Sequence, residues 1–330
     1  MADEIIIGQN QILEYIEETV RKDNPNGAYI INGDKGSGKK LLAKTFAMAL
    51  NCVGDGIKPC RSCKSCISAS NNTQPDIIWV TPKSKDIKIG INDIREQVIS
   101  NINIKPISSK YKVYIIPAAD TLSVEAQNAL LKTLEEPPRQ VVIFLITNNY
   151  KLLLETIISR CAILRVRDIT DSIINNYLVE SLEIPKEKAM LCTAFARGNL
   201  GRAIKMAQSE YFVGLRDMAV SVLEKIYTMP GVEIVEAVKN MSDYSRLDIV
   251  DILDYMTIWY RDILLFKATN DTNTIIFKDK LVVIKERARD MSYEGIENVI
   301  NALDIASERL NANVRFDLVM ELLLMTMKEN

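Results

Sequence analysis

Short apolar runs alternate with amphipathic stretches along the first half of the chain. Ala28–Ile31, Ile77–Val80, Lys112–Ile116, Val141–Ile146 and Ala162–Val166 are largely apolar on both faces, the pattern of strands in a covered parallel sheet. Between them, Lys39–Leu50, Ile91–Asn101 and Ser123–Leu134 place apolar residues at helical spacing. This alternation predicts an α/β, doubly wound domain. The stretch 68–88 is polar and irregular, broken by Pro75 and Pro82. Beyond Arg167 the strand pattern fades. Asp171–Glu180, Pro185–Ala196 and Gly201–Ser209 predict three short helices, and Leu247–Lys267 and Ile296–Leu310 long ones in an all-helical remainder. The division expected is 1–167, 168–207 and 208–330.

A length of 330 residues suits two or three domains. Hydrophobic residues at 48% and charged residues at 25% are the balance of a globular chain. A net charge of −2 supplies no global basic field, so any contact with nucleic acid has to come from a local patch or from partners. The start lacks a basic, apolar leader, and no apolar run approaches the ~20 residues that span a bilayer. A cytoplasmic location without membrane contact is expected, where thiols stay reduced. Histidine is absent. That excludes Ser-His-Asp and Cys-His catalysis and leaves Cys, Asp and Glu for any transition-metal site.

The strand Ala28–Ile31 runs into Asn32-Gly-Asp-Lys-Gly-Ser-Gly-Lys-Lys40 and then a helix, matching G-x-x-x-x-G-K at Gly33, Gly38 and Lys39, with Gly36 between them. Glycines let backbone N–H groups point at phosphate oxygens, and Lys39 would reach the β- and γ-phosphates. The next residue should be Ser or Thr, whose hydroxyl holds Mg²⁺; here it is Lys40, which would repel the ion. The strand Lys112–Ile116 ends in Pro117-Ala118 where a P-loop ATPase carries an acidic pair, and Asp120 lies farther along. Either this is a plain glycine turn or an ancestral nucleotide loop; in both cases Mg²⁺-dependent hydrolysis by this chain alone is not expected.

Cys52, Cys60, Cys63 and Cys66 fall within fifteen residues, with Gly54, Gly56 and Pro59 to turn the chain. Four thiols so spaced can converge on Zn²⁺ in a closed, structural site; the alternatives are iron in its place, or free or redox-active thiols. Lys58, Arg61 and Lys64 would lower the thiol pKa values. Cys161 and Cys192 stand apart as small buried residues.

A P-loop, then C-x7-C-x2-C-x2-C, then Gln74-Pro75-Asp76, then Ala126-Gln-Asn-Ala-Leu-Leu-Lys-Thr-Leu-Glu-Glu-Pro-Pro138 and Thr156-Ile-Ile-Ser-Arg-Cys161, with Gly8-Gln9 ahead of them, resembles the ATPase domain of bacterial DNA polymerase III clamp-loader subunits. The resemblance spans about the first 205 residues; the remainder matches only in its helical character. It implies an AAA+ domain at 1–167 with a zinc module at 52–66, a lid at 168–207 and an oligomerisation collar at 208–330. It implies that Arg160, with Ser159 orienting its loop, is an arginine finger acting in trans, that Asn148 and Arg202 fall at the two sensor positions, and that the partners are gamma/tau and delta subunits, the beta sliding clamp and primed DNA. Lys40, Pro117 and Ala118 depart from the motor subunits' pattern and point to a non-motor member. The alternatives are an active ATPase of the gamma/tau type, using a shifted acid such as Asp120, and a free-standing zinc-knuckle DNA-binding protein.

Overall fold

The computed structural model describes residues 6–82, 89–312 and 314–330. The start of the chain and residues 83–88 of the irregular stretch lie outside them.

Five strands form one parallel sheet: β1 (Ala28–Asn32), β2 (Ile77–Trp79), β3 (Lys112–Ile116), β4 (Val141–Thr147) and β5 (Ala162–Arg165), in the order β2-β3-β4-β1-β5. All pairings are parallel, with Tyr29 opposite Phe144 on one side and Ala162 on the other. The strands sit at the five predicted places, since β-branched runs buried on both faces have no other stable use.

Alternate side chains divide between two layers. Tyr29, Ile31, Val113, Ile115, Phe144 and Ile146 face α1 (Asn10–Lys22) and α2 (Lys39–Leu50), meeting Ile12, Ile16, Leu42 and Phe46. The rings of Tyr29, Phe46 and Phe144 lie 5.0–5.4 Å apart by centroid; truncating such a ring typically costs about 3–5 kcal/mol. The opposite residues, Ile30, Tyr114, Ile116, Ile143 and Leu145, pack on the helices α4 (Ile91–Gln97) and α5 (Val124–Glu135), which follow the short α3 (Lys64–Ser70). In α5, Leu130 and Leu134 are buried and Leu131 only half so. The predicted helix 91–101 breaks after Gln97 into a 3₁₀ turn at Ile99–Asn101, and α1 and α3 lie outside the sequence expectation. The short α6 (Glu155–Ile158) leads into β5.

The chain divides into two compact units, residues 1–174 with 198–202, and residues 175–197 with 203–330. The remaining helices run α7 (Asp171–Asn176), followed by a π turn over Tyr177–Ser181, α8 (Lys186–Ala196), α9 (Leu200–Gln208), α10 (Glu210–Lys225), α11 (Gly231–Ser242), α12 (Arg246–Thr269), α13 (Leu281–Asp290), α14 (Tyr293–Asn311) and α15 (Phe316–Glu329). In the second unit α12 is the axis against which α10, α13 and α14 pack, and α15 packs on α11 and α14. Its core holds Trp259, Tyr255, Phe195 and Phe277. No described helix is long and apolar enough to cross a membrane.

Candidate functional site: a closed phosphate loop, an exposed arginine and a cysteine cluster

Because β4 lies between β1 and β3 and all run parallel, the loops after these three strands meet at the carboxyl end of the sheet. The glycine loop after β1 leads into α2 through Gly38, whose φ is +87°. Lys39 is 7% exposed. Its ammonium donates to the Gly33 carbonyl at 2.6 Å, the Asp34 carbonyl at 2.6 Å and Asn148 Oδ1 at 3.0 Å. An ammonium has three N–H donors, and all three are taken within the loop and its neighbour. Burial pushes the Lys39 pKa down, against the charges of Asp34 and Asp120.

Segment 199–202 packs on the loop from outside. Asn199, 8% exposed, donates from Nδ2 to the Lys35 carbonyl at 2.9 Å and accepts from the Arg202 amide through Oδ1 at 3.0 Å. A Cβ at Gly201 would stand 2.2 Å from the Gly36 carbonyl oxygen, so that only glycine allows this approach; Gly36 itself has a φ of +92°. The sensor candidates Asn148 and Arg202 thus both lie at the loop, which the spacing in the chain does not show.

At the end of β3, Pro117 and Ala118 bring no acid. The 3₁₀ turn Ala119–Thr121 folds Asp120 back toward β4, where its Oδ2 accepts from the Asn148 amide at 3.3 Å. Its Oδ1 is buried without a hydrogen bond among the described residues. The 3₁₀ turn thus brings Asp120, which lies farther along than the positions of the acidic pair, against the end of β4. Lys40 is exposed on α2 and lines a groove with Lys44 and Trp79.

Arg160 follows α6, with its side chain 33% exposed. One guanidinium nitrogen donates to the Thr156 carbonyl at 2.8 Å and to Ser159 Oγ at 3.2 Å; the other pairs with Glu135 Oε1 at 2.7 Å. Ser159 Oγ donates in turn to the Thr156 carbonyl at 3.2 Å. The ion pair ties α6 to the end of α5, so the Leu-Glu-Glu and Ser-Arg-Cys segments are neighbours.

The sulfurs of Cys52, Cys60, Cys63 and Cys66 all lie within 4.8 Å of one another and could hold a metal ion. Backbone amides point at them: Cys60 N to Cys52 Sγ at 3.3 Å, Cys63 N to Cys60 Sγ at 3.3 Å and Cys66 N to Cys63 Sγ at 3.5 Å. The Cys60 thiol is lowered to about 6 by the Ser62 side chain first and then by the Cys63 and Ser62 amides. Hydrogen bonds, rather than the nearby lysines and arginine, are the main cause. Burial pushes the Cys66 thiol up. Cys161 and Cys192 stand outside this cluster. Gln74 braces the cluster's helix, donating to Ser65 Oγ at 3.0 Å and Ser109 Oγ at 2.7 Å.

A parallel sheet in the order β5-β1-β4-β3-β2 with a glycine loop between β1 and α2 defines an AAA+-type P-loop protein. The family model of the DNA polymerase III delta subunit matches residues 8–170. The chain is 28% identical over 323 residues to the DNA polymerase III subunit delta' of Bacillus subtilis, covering 97% of this chain and 96% of that protein. It is 32% identical over 231 residues to the gamma/tau subunit of Mycoplasma genitalium, covering 68% of this chain but 38% of that longer protein. A gamma subunit-related protein of Thermotoga maritima superposes with a TM-score of 0.47 at 19% identity, over 96% of this chain and 98% of that one. The chain belongs to the delta-prime family of DNA polymerase III clamp-loader subunits.

Proposed function

We propose that this chain is the non-motor, delta-prime member of a clamp loader, joining gamma/tau and delta subunits to place the beta sliding clamp on primed DNA in the cytoplasm. The observation that carries the reading is the state of the phosphate loop. Lys39 has its three donors committed to Gly33, Asp34 and Asn148, and no carboxylate stands at Pro117 or Ala118. A magnesium ion has too few hard ligands here, so ATP cleavage falls to a neighbouring subunit. Arg160, permanently charged and partly exposed, is the group this chain offers to that neighbour's phosphates, and Ser159 fixes its loop. Residues 168–207 serve as the lid and 208–330 as the collar.

The cysteine cluster is a structural zinc site in this reading. Four thiolates at Zn–S distances of about 2.3 Å stand about 3.8 Å apart at the corners of a tetrahedron. The observed sulfurs, all within 4.8 Å of one another, need only a small contraction. Cys52, Cys60, Cys63 and Cys66 would complete the coordination sphere and leave no position for water.

The test is reconstitution. Purified alone, the chain should release phosphate from ATP at background rate. Arg160→Ala should lower turnover of the complex with gamma/tau and delta, abolishing it at the one site served, where such an arginine contributes about 10³–10⁵ in rate. An unchanged rate would refute the finger. A second reading, an active ATPase, draws on the unsatisfied Asp120 Oδ1; it requires Mg²⁺-dependent turnover by the isolated chain that Asp120→Asn removes.

A further inference from the structure

We infer that the groove between α2 and β2 is a binding site for single-stranded nucleic acid, with Trp79 as a base-stacking platform and Lys40 and Lys44 as phosphate contacts. This inference goes beyond the clamp-loader reading and does not depend on Arg160.

The groove is lined by Lys40, Leu41, Lys44, Asn72, Ile77 and Trp79, and encloses about 750 Å³ open to solvent. Its construction follows from two periodicities. Lys40 and Lys44 are four residues apart on α2 and therefore share a face, while Ile77 and Trp79 alternate on β2 and so face the same side of the sheet as α2. Ile77 and Trp79 pack against the core beneath that side, giving the groove an apolar floor. Trp79 is half-buried, so its ring is held by packing and still reached by solvent. Lys44 is steadied at the rim by its hydrogen bond to the Ser70 carbonyl at 3.0 Å. Lys40 is exposed.

Among the described residues the lining carries two cations and no carboxylate, in a chain whose net charge is −2. A long-range field therefore attracts no polyanion, and this groove concentrates positive charge locally. An indole beside two ammonium groups matches a nucleotide's two parts, a flat π face and a phosphate. A duplex keeps its bases stacked on one another; a single strand can lay one on the indole. Asn72 adds an amide to the lining. The same substitution that puts an ammonium where a magnesium-binding hydroxyl is expected thus supplies the groove with a phosphate contact, a role that an alanine there would not fill.

The chain has two tryptophans, and this makes the test site-specific. Trp259 is fully buried in the helical unit, so only Trp79 can meet a base. Titrating the full-length protein with the oligonucleotide dT12 at low salt should quench tryptophan emission, and the quench should fade as salt rises, with a slope of about 1.4 for two phosphate contacts on a single strand. Trp79→Phe should remove the quench while anisotropy of fluorescein-labelled dT12 still reports binding. Trp79→Ala should weaken that binding about five- to a hundredfold, Lys40→Glu should weaken it further, and Lys132→Glu on α5, which packs on the opposite layer of the sheet, should leave it unchanged. Circular dichroism and Trp259 emission verify that each variant is folded. The inference is overturned if dT12 neither quenches nor binds, if Lys40→Glu and Trp79→Ala bind as the parent does, if Lys132→Glu abolishes binding, or if dTMP competes as well as dT12, which would make the groove a mononucleotide site.

Discussion

Lys39 and Asp76 show how a buried charge is accommodated in this molecule. Lys39 turns inward onto two carbonyls and an amide oxygen, a satisfied arrangement that needs no phosphate. Asp76, 1% exposed, accepts from the Ile107 amide at 2.7 Å, the Ser108 amide at 2.8 Å and the Ser108 hydroxyl at 3.2 Å. Burial pushes its pKa up, but these hydrogen bonds outweigh burial and the carboxyl titrates below its ordinary value. A depressed folded pKa stabilises the protein above the unfolded value near 3.9 and loses that contribution as pH falls through the folded value. Asp76→Asn should therefore lower urea stability at pH 7, and the gap from the parent should close as pH falls below about 4. A gap that stays constant with pH would show that the charge is not what the two amides hold.

At the scale of elements, the contact of α9's first turn with the glycine loop is set by Gly201. Gly201→Ala puts a methyl 2.2 Å from the Gly36 oxygen, and backbone cannot yield as a flexible side chain can. The expected cost is about 1–3 kcal/mol, measured by urea unfolding, with faster amide exchange in residues 33–39 as the local sign. An unchanged protection pattern would mean that the segment shifts freely. The cysteine module makes a different claim. Purified protein should carry one zinc per chain by elemental analysis, and Cys63→Ser should lose it and expose the remaining thiols to alkylation. The module has a small core of its own, Met48, Cys52, Cys66 and Ala69, so α2 and the sheet should survive that loss and far-UV dichroism should change little.

For the whole molecule, assembly is the property at issue. On α15, Leu318, Leu322 and Met325 are 57%, 52% and 45% exposed, and Ile305 of the neighbouring α14 is 45% exposed. Their spacing puts the first three on one face of α15, in a unit whose other large apolar residues are mostly covered. If 208–330 is the collar, Leu322→Glu should cut recovery of the gamma/tau–delta complex by about tenfold in size-exclusion chromatography, while the isolated chain keeps its stability within about 0.5 kcal/mol. Full recovery of the complex would place the collar contacts elsewhere.

The hydrophobic pattern alone marked the five strands, the helical character of the second unit and the positions of α8, α12 and α14, because burial period is a local property of the chain. The motif spacing likewise marked the glycine loop, Pro117-Ala118 and the four cysteines. The reach of Asp120, the Glu135–Arg160 pair, the approach of Gly201 to Gly36 and the face shared by Lys40 with Trp79 were decided only by tertiary structure. Each joins residues distant in the chain or turned by a local bend. What brings most of them together is the strand order β2-β3-β4-β1-β5, and strand order comes from how whole layers pack, which no local period encodes.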